Sequence, residues 1–169
     1  MDLATIERRI KLGYYSDRTS GETYSASLLA QTKKRGLERL LEGPIINLGC
    51  GPGYEILAFT EKFPKAKVLG VDLNPDCVEY AKKLGLDVIR ADASSVDFPD
   101  GLFKIAFSRY MFDLDRNEET VAPEVMRILE KGGLYYMVDN KCDRFTATFV
   151  AQGFIPDRLH SDAYLFIKP

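Results

Sequence analysis

A glycine-rich segment after the first apolar run carries the strongest chemical signal in the chain. Its sequence is Asn47-Leu48-Gly49-Cys50-Gly51-Pro52-Gly53. Glycine lets the backbone turn sharply and lets a ligand approach without a Cβ in the way. A helix expected behind the loop presents unpaired N–H groups at its N-terminus. Taken alone, such a loop is equally consistent with a plain tight turn.

The spacing of this loop differs from that of dinucleotide sites. It is G-x-G-x-G, and Tyr54 stands where the third glycine of G-x-G-x-x-G belongs. Pro52 also removes an N–H donor that a pyrophosphate would need. The loop therefore favours an adenosine ligand with a zwitterionic tail over a dinucleotide.

An acidic residue, Asp72, ends the second apolar run, about 20 residues after the loop. A carboxylate there can accept two hydrogen bonds from a ribose diol. Capping of the next helix is the alternative role, and one carboxylate can serve both.

Five continuous apolar runs must position these residues. Continuous rather than alternating apolar runs predict strands that are covered on both faces, as in a parallel sheet. Helical patterns lie between the runs, so the order predicts a doubly wound α/β sheet with right-handed crossovers. The expected strands are Pro44–Cys50, Lys67–Leu73, Asp87–Ala93, Phe103–Arg109 and Leu134–Asn140, and the expected helices are about 54–62, 75–84 and 118–130.

The two ends of the chain depart from this alternation. A short helix near 144–152 precedes two strand-like pieces, 155–159 and 163–168, whose connection is too short for a crossover helix. We therefore expect a seven-stranded, mostly parallel, Rossmann-like sheet that ends in an antiparallel hairpin. Residues 1–43 are expected to form a helical arm, with a loop at 14–21, that covers the sheet or acts as a lid over the core of 44–169.

Length and composition place limits on the class of protein. A chain of 169 residues fits a single domain, and a net charge of −2 gives no reason to expect a nucleic-acid footprint. The three cysteines are far apart, which argues against a disulfide framework or a zinc site and for a reducing cytoplasm. The sequence predicts no membrane span and leaves the oligomeric state open.

With these motifs in place, residues 44–168 resemble the class I S-adenosylmethionine-dependent methyltransferases. The segment 47–53 resembles the family's first motif, although Asn47 stands where an acidic residue is common. The resemblance implies S-adenosylmethionine as cofactor and S-adenosylhomocysteine as product. It implies that Asp72 binds the ribose, that Leu73 contacts the adenine and that Asp92 meets its amino group. The implied cofactor site is Asn47, Gly49, Cys50, Gly51, Gly53, Asp72, Leu73, Asp92, Ala93 and Ser108.

The methyl acceptor is expected beyond the carboxyl edge of the sheet, near Arg109. Tyr110 and Asp113 are the candidates to orient it, with catalysis mainly by positioning. The fourth strand lacks the Asn-Pro-Pro-Tyr-like tetrapeptide of base and amide methylation, which favours a small-molecule acceptor. The only histidine, His160, falls in the terminal hairpin and is not expected to act as a base. A non-catalytic cofactor-binding protein and a partner-dependent RNA methyltransferase are the alternatives.

Two further hypotheses concern a metal and a lid. Catechol-type relatives hold Mg²⁺ with carboxylates after the fourth and fifth strands, where Asp113 or Asp115 and Asp139-Asn140 stand here, but Arg109 occupies the position of the first ligand. A metal is therefore not expected. Tyr14, Tyr15 and Arg18 are candidates to close over the methionine end, with Arg18 on a carboxylate, although packing and surface charge are the favoured explanation.

Overall fold

The computed structural model describes residues 3–112, 118–140 and 142–169. The strands in these ranges are β1 Pro44–Leu48, β2 Lys67–Asp72, β3 Val88–Arg90, β4 Phe103–Arg109, β5 Leu129–Val138, β6 Ile155–His160 and β7 Ala163–Ile167. They form one sheet in the order β3-β2-β1-β4-β5-β7-β6. β1 to β5 pair in parallel, whereas β7 pairs antiparallel with both β5 and β6. The predicted mostly parallel sheet with a terminal antiparallel hairpin is thus confirmed.

The described core helices begin where local signals predict, and the second helix of the arm begins earlier than expected. They are α1 Leu3–Lys11, α2 Arg18–Lys34, α3 Tyr54–Lys62, α4 Pro75–Lys83, α5 Glu118–Ile128 and α6 Cys142–Ala151, with a 3₁₀ turn at Glu38–Glu42. Asn74 caps α4 by accepting a hydrogen bond from the backbone N–H of Asp76, and Pro75 occupies the first turn.

The expected loop at 14–21 is shorter than predicted. Asp17 accepts a hydrogen bond from the backbone N–H of Ser20 at 2.8 Å and so caps α2. Residues 18–21 of the expected loop therefore lie inside the helix. The same helix ends at Lys34, so Leu40 and Leu41 belong to the separate 3₁₀ turn.

The sheet carries a buried apolar cluster on each face. Ile46 and Ala106 pack in the cluster beneath α5 and α6, and their strand neighbours Ile45 and Ile105 pack in the cluster beneath α2, α3 and α4. Successive side chains of a strand point to opposite faces. Continuous apolar runs were therefore a correct signal of strands covered on both sides.

The second helix of the arm is part of this layered packing. The buried Tyr24 hydroxyl donates to the backbone carbonyls of Ser108 in β4 and Tyr136 in β5, at 3.0 and 3.2 Å. A Cβ on Gly21 would lie 2.4 Å from the backbone oxygen of Tyr54, so only glycine permits this approach of α2 to α3. α2 therefore packs against the sheet.

Within the described ranges, no helix combines the length and the apolar character required to cross a bilayer.

Candidate cofactor site

A cavity of about 410 Å³ opens at the carboxyl edge of the parallel strands, a volume within the range of small-molecule sites. Its floor is formed by the glycine loop after β1. Its walls come from residues after β2, β3 and β4, and its roof comes from the arm at 13–17. Open α/β sheets bind ligands at this edge.

Two of the three glycines in the loop line this cavity. Gly49 and Gly51 have φ angles of +65° and +52°, a backbone conformation that side chains disfavour. Gly53, predicted as a cofactor contact, is not among the lining residues. It caps α3 with φ +89°, and a Cβ there would lie 2.5 Å from Leu86 Cδ1. The third glycine is therefore required for packing between the loop and the segment after α4.

The carboxylate of Asp72, at the end of β2, is hydrogen-bonded to the glycine loop. It accepts hydrogen bonds from the backbone N–H groups of Gly51 at 2.7 Å and Asn74 at 2.8 Å. Burial raises the pKa of Asp72 above its ordinary value, and these two hydrogen bonds oppose the shift. Each carboxylate oxygen keeps a further lone pair that can accept from a ligand hydroxyl.

The wall beyond Asp72 combines polar and apolar groups. Asp92 accepts from the backbone N–H and the hydroxyl of Ser94, at 2.8 and 2.7 Å, and lines the cavity together with Ala93. Leu73 lines the same wall with 51% of its surface exposed. An exposed apolar side chain beside a carboxylate suits a flat heterocycle with a donor group at its edge.

Asn47 lines the cavity and carries a buried acceptor that has no partner among the described residues. Its side-chain Nδ2 donates to the backbone carbonyl of Phe107 in β4 at 3.2 Å. Its Oδ1 is buried and has no hydrogen-bond partner among the described residues, although the side chain is only 2% exposed. A buried acceptor without a partner is costly, so this oxygen calls for a donor from a ligand or a water molecule.

Cys50 also lines the cavity and is almost fully buried. Burial raises the pKa of its thiol well above the ordinary value, so the thiol is uncharged at neutral pH.

The arm meets the core through a polar cluster that the sequence analysis did not anticipate. Arg109 Nη1 donates to the hydroxyl of Ser16 at 2.7 Å and to Glu55 Oε1 at 3.3 Å. The hydroxyl of Ser16 donates to the same Glu55 oxygen. Tyr15 also lines the roof, and its hydroxyl accepts from Asn74 Nδ2 at 3.2 Å. The sequence singles out Arg109 and Tyr15 but not Ser16 or Glu55; the available signal for Glu55 is its position in the first turn of α3, two residues after the glycine loop.

Besides Gly53, two more residues assigned from the sequence lie outside the cavity lining. The Ser108 side chain is buried and bonds to the hydroxyl of Tyr135 at 2.6 Å, because that position of β4 faces the core. Arg18 projects from α2 and pairs with Glu22 and Glu61 at 3.1 and 2.7 Å. Cofactor contact by the Ser108 side chain and carboxylate binding by Arg18 therefore find no support in the geometry.

Of the residues expected near the acceptor, some line the cavity and one lies outside the described residues. Tyr14 and Tyr110 line the cavity and remain 74% and 39% exposed, so they stand at its mouth. Tyr110 has φ +52°, and the Arg109 guanidinium lies 4.9 Å from its ring centroid. Asp113, with the neighbouring Asp115, lies outside the described residues.

The candidate metal ligands do not gather at the cavity. Asp139 is fully buried and accepts from the backbone N–H of Phe112 at 3.2 Å, and Asn140 is exposed. Neither lines the cavity, and His160 is exposed in the terminal hairpin. No group of three or more His, Cys, Asp or Glu residues suited to a metal ion occurs in the ranges that the structure describes.

Comparison with known proteins identifies the fold and the relatives. A family model described as a methyltransferase domain matches residues 45–133, just over half of the chain. A solved structure, the YcgJ protein of Bacillus subtilis, superposes with a TM-score of 0.68 at 22% identity, over 82% of this chain and 71% of that one.

Two curated relatives extend the comparison. The demethylmenaquinone methyltransferase of Thermus thermophilus is 31% identical over 110 residues, which cover 60% of this chain and 50% of the relative. The 2-methyl-6-phytyl-1,4-hydroquinone methyltransferase of Synechocystis sp. is 28% identical over 142 residues, which cover 77% and 44%. The chain thus spans half or less of the length of these relatives.

Proposed function

The chain belongs to the methyltransferase-domain family, of the class I S-adenosylmethionine-dependent type, and we propose that it transfers the methyl group of S-adenosylmethionine to a small molecule. The observation that carries the proposal is one cavity, at the carboxyl edge of the sheet, that is lined by Gly49, Gly51 and Asp72, with the Gly51 N–H bound to the Asp72 carboxylate. S-adenosylhomocysteine would be the second product.

The residues around the cavity fit this cofactor. Asp72 would accept hydrogen bonds from the ribose hydroxyls, and Asp92 would accept from the adenine amino group beside the exposed face of Leu73. Asn47 lines the cavity beside the glycine loop, where it would help to position the amino-acid tail. When bound, the cofactor supplies a methyl group on a positively charged sulfur, which needs no further activation toward a nucleophile.

Positioning and exclusion of water are the tasks left to the protein. The roof formed by Tyr15 and Ser16 covers the cavity and is held to the core by hydrogen bonds at both ends. Tyr110 at the mouth would orient the acceptor, and Asp113 remains a predicted partner in that role. An acceptor held in line gains most of the rate that such a transfer requires.

A small acceptor is supported by the mouth of the cavity and by the relatives. Tyr14 and Tyr110 offer two partly exposed aromatic rings at the entrance, suited to a compact apolar or aromatic molecule. The relatives named above are named for a quinone and a hydroquinone.

We also propose that the arm 1–43 and the core 44–169 form one domain that acts in the cytoplasm. The hydrogen bonds of Tyr24 to β4 and β5 support the first part. The burial of Cys50, Cys77 and Cys142 as free thiols supports a reducing compartment.

Calorimetric titration tests the cofactor site directly. S-adenosylmethionine and S-adenosylhomocysteine are titrated into the wild type, into Asp72→Asn and into the matched surface variant Asp97→Asn, whose side chain is exposed outside the cavity. We expect binding of both ligands, a loss of about 10- to 100-fold in Asp72→Asn and no change in Asp97→Asn. Absence of binding of either ligand to the wild type contradicts the proposal.

Formation of S-adenosylhomocysteine from S-adenosylmethionine, measured with a panel of small hydroxyl, amine, carboxylate and thiol compounds, then tests transfer. Turnover with at least one compound is the expected result. Tight binding without turnover across the panel would favour the non-catalytic alternative.

A further inference from the structure

A mostly buried ion pair stands at the end of the cavity away from Asp72 and Asp92. Glu55 and Arg109 have side chains that are 6% and 20% exposed, and Ser16 of the arm bonds to both. Removing two charges from water is costly, so a pair in such a position needs further polar partners to be favourable. The cavity is the place where a ligand can supply them, because all three residues line it.

The strand order fixes where this cluster lies relative to the other polar groups. From β3 to β4, the carboxyl edge presents Asp92, Asp72, the glycine loop and then Arg109. Neighbouring strands are about 4.8 Å apart, so Arg109 is placed roughly 10 Å from the Asp72 position, two strands away. A ligand that spans the cavity would therefore meet hydrogen-bond acceptors at one end and a guanidinium at the other.

The groups at the Arg109 end match an α-amino acid. A carboxylate pairs with a guanidinium, and the carboxylate of Glu55 suits an ammonium group. Arginine has five N–H donors in a planar fork, and the contacts with Ser16 and Glu55 use Nη1. Donors of the same fork therefore remain to bind a carboxylate while the link to the arm is kept.

We propose that the Ser16–Glu55–Arg109 cluster binds the α-amino-acid end of the cofactor and couples that binding to closure of the arm. The inference rests on the proposed function, since it assigns one end of the same ligand. A carboxylate on Arg109 fixes the guanidinium, and the guanidinium in turn fixes Ser16 and the roof of the cavity. A ligand without the amino-acid group occupies the adenosine end and leaves the arm free to open, and by linkage a closed arm favours the complete ligand.

Hydrogen exchange of the arm amides tests the coupling. The wild-type chain is saturated either with S-adenosylhomocysteine or with 5′-methylthioadenosine, which keeps the adenosine and the thioether but lacks the amino acid. We expect S-adenosylhomocysteine to slow exchange across residues 4–17 at least fivefold and 5′-methylthioadenosine to leave it near the rate of the free protein. Equal protection by the two ligands overturns the proposal.

Affinities of variants test the assignment of the residues. The double variant Glu55→Gln/Arg109→Met avoids leaving one buried charge without its partner. We expect it to lose about 10- to 100-fold in affinity for S-adenosylhomocysteine, with 5′-methylthioadenosine bound as in the wild type. The matched control Arg18→Ala removes an arginine that pairs with Glu22 and Glu61 outside the cavity and is expected to change neither affinity.

The remaining outcomes are distinguishable. Parallel losses for both ligands in the double variant would assign the pair a structural role only, and a loss in Arg18→Ala alone would assign the carboxylate to Arg18. Each of these overturns the proposal. If the wild type binds neither ligand, the proposed function itself fails. Ser16→Ala is expected to abolish the ligand-dependent protection of the arm, and persistence of that protection contradicts the link through Ser16.

Discussion

Removal of the Tyr24 hydroxyl gives a direct test of whether the arm folds as one unit with the core. The hydroxyl is buried and donates to the backbone carbonyls of Ser108 and Tyr136. Burial raises the pKa of Tyr24 well above its ordinary value, so the group stays protonated and remains a donor at any working pH. In Tyr24→Phe the ring is kept, and its packing against Phe107 and Tyr136 is kept with it.

The expected loss of stability in Tyr24→Phe follows from the hydrogen bonds that the hydroxyl makes. One hydroxyl proton is shared between two carbonyls, so the substitution removes about one net hydrogen bond and leaves buried carbonyl oxygens less satisfied. We expect a loss of about 1–2 kcal/mol in the free energy of unfolding. For a domain of this size that corresponds to a shift of roughly 2–8 °C in the melting temperature.

Urea unfolding followed by far-ultraviolet circular dichroism and by tyrosine fluorescence measures the effect. If arm and core are one domain, both probes give a single transition that moves to lower urea with an unchanged slope. Tyr14→Phe is the matched control, because Tyr14 is 74% exposed, and no shift is expected there. An unchanged midpoint in Tyr24→Phe, or a separate early transition confined to the arm, would refute the reasoning.

Three further predictions concern protonation, a glycine and the thiols. Because burial raises the pKa of Asp72, its protonation should weaken binding of S-adenosylhomocysteine at a higher pH than for an exposed aspartate. Calorimetry from about pH 7 to 4 should show this loss of affinity as the pH falls in the wild type and no such step in Asp72→Asn. Gly53→Ala should cost about 2–4 kcal/mol in chemical unfolding, since its φ of +89° strains alanine and its Cβ would meet Leu86. Gly85→Ala, with φ +79° and open space around the Cβ, should cost only the strain of about 1–2 kcal/mol, and equal losses would argue against the steric contribution. Burial raises the pKa of Cys77 to about 11 and that of Cys142 to about 12, so a thiol reagent at neutral pH should label the folded chain slowly and all three cysteines quickly in denaturant. Rapid labelling of Cys77 in the folded chain would contradict that environment.

The sequence by itself predicted the strands, the mostly parallel sheet and the residues of one half of the candidate site. Strands buried on both faces require long apolar runs, and such runs are visible without a structure. The strand Phe103–Arg109 has the predicted bounds, and so does the helix Tyr54–Lys62. The loop of Gly49 and Gly51 and the carboxylate of Asp72 were also predictable, because a local turn and a strand end bring them to one edge.

The same double burial explains one failure. When both faces of β4 are covered, the apolar pattern does not show which face a given residue joins, and Ser108 was assigned to the ligand although its hydroxyl bonds to Tyr135 in the core. Only the tertiary packing decided that orientation.

The Ser16–Glu55–Arg109 cluster could not be predicted from the sequence. Ser16 and Glu55 are 39 residues apart, and Glu55 and Arg109 are 54 apart, so no local spacing connects them. Arg18 has the same side-chain chemistry as Arg109 and sits two residues from Ser16, yet Glu22 and Glu61 hold it outside the cavity. The sequence supplied a choice of cations, and the packing of α2 against α3 determined which of them lines the cavity, because that packing sets the direction in which each side chain leaves its helix or strand.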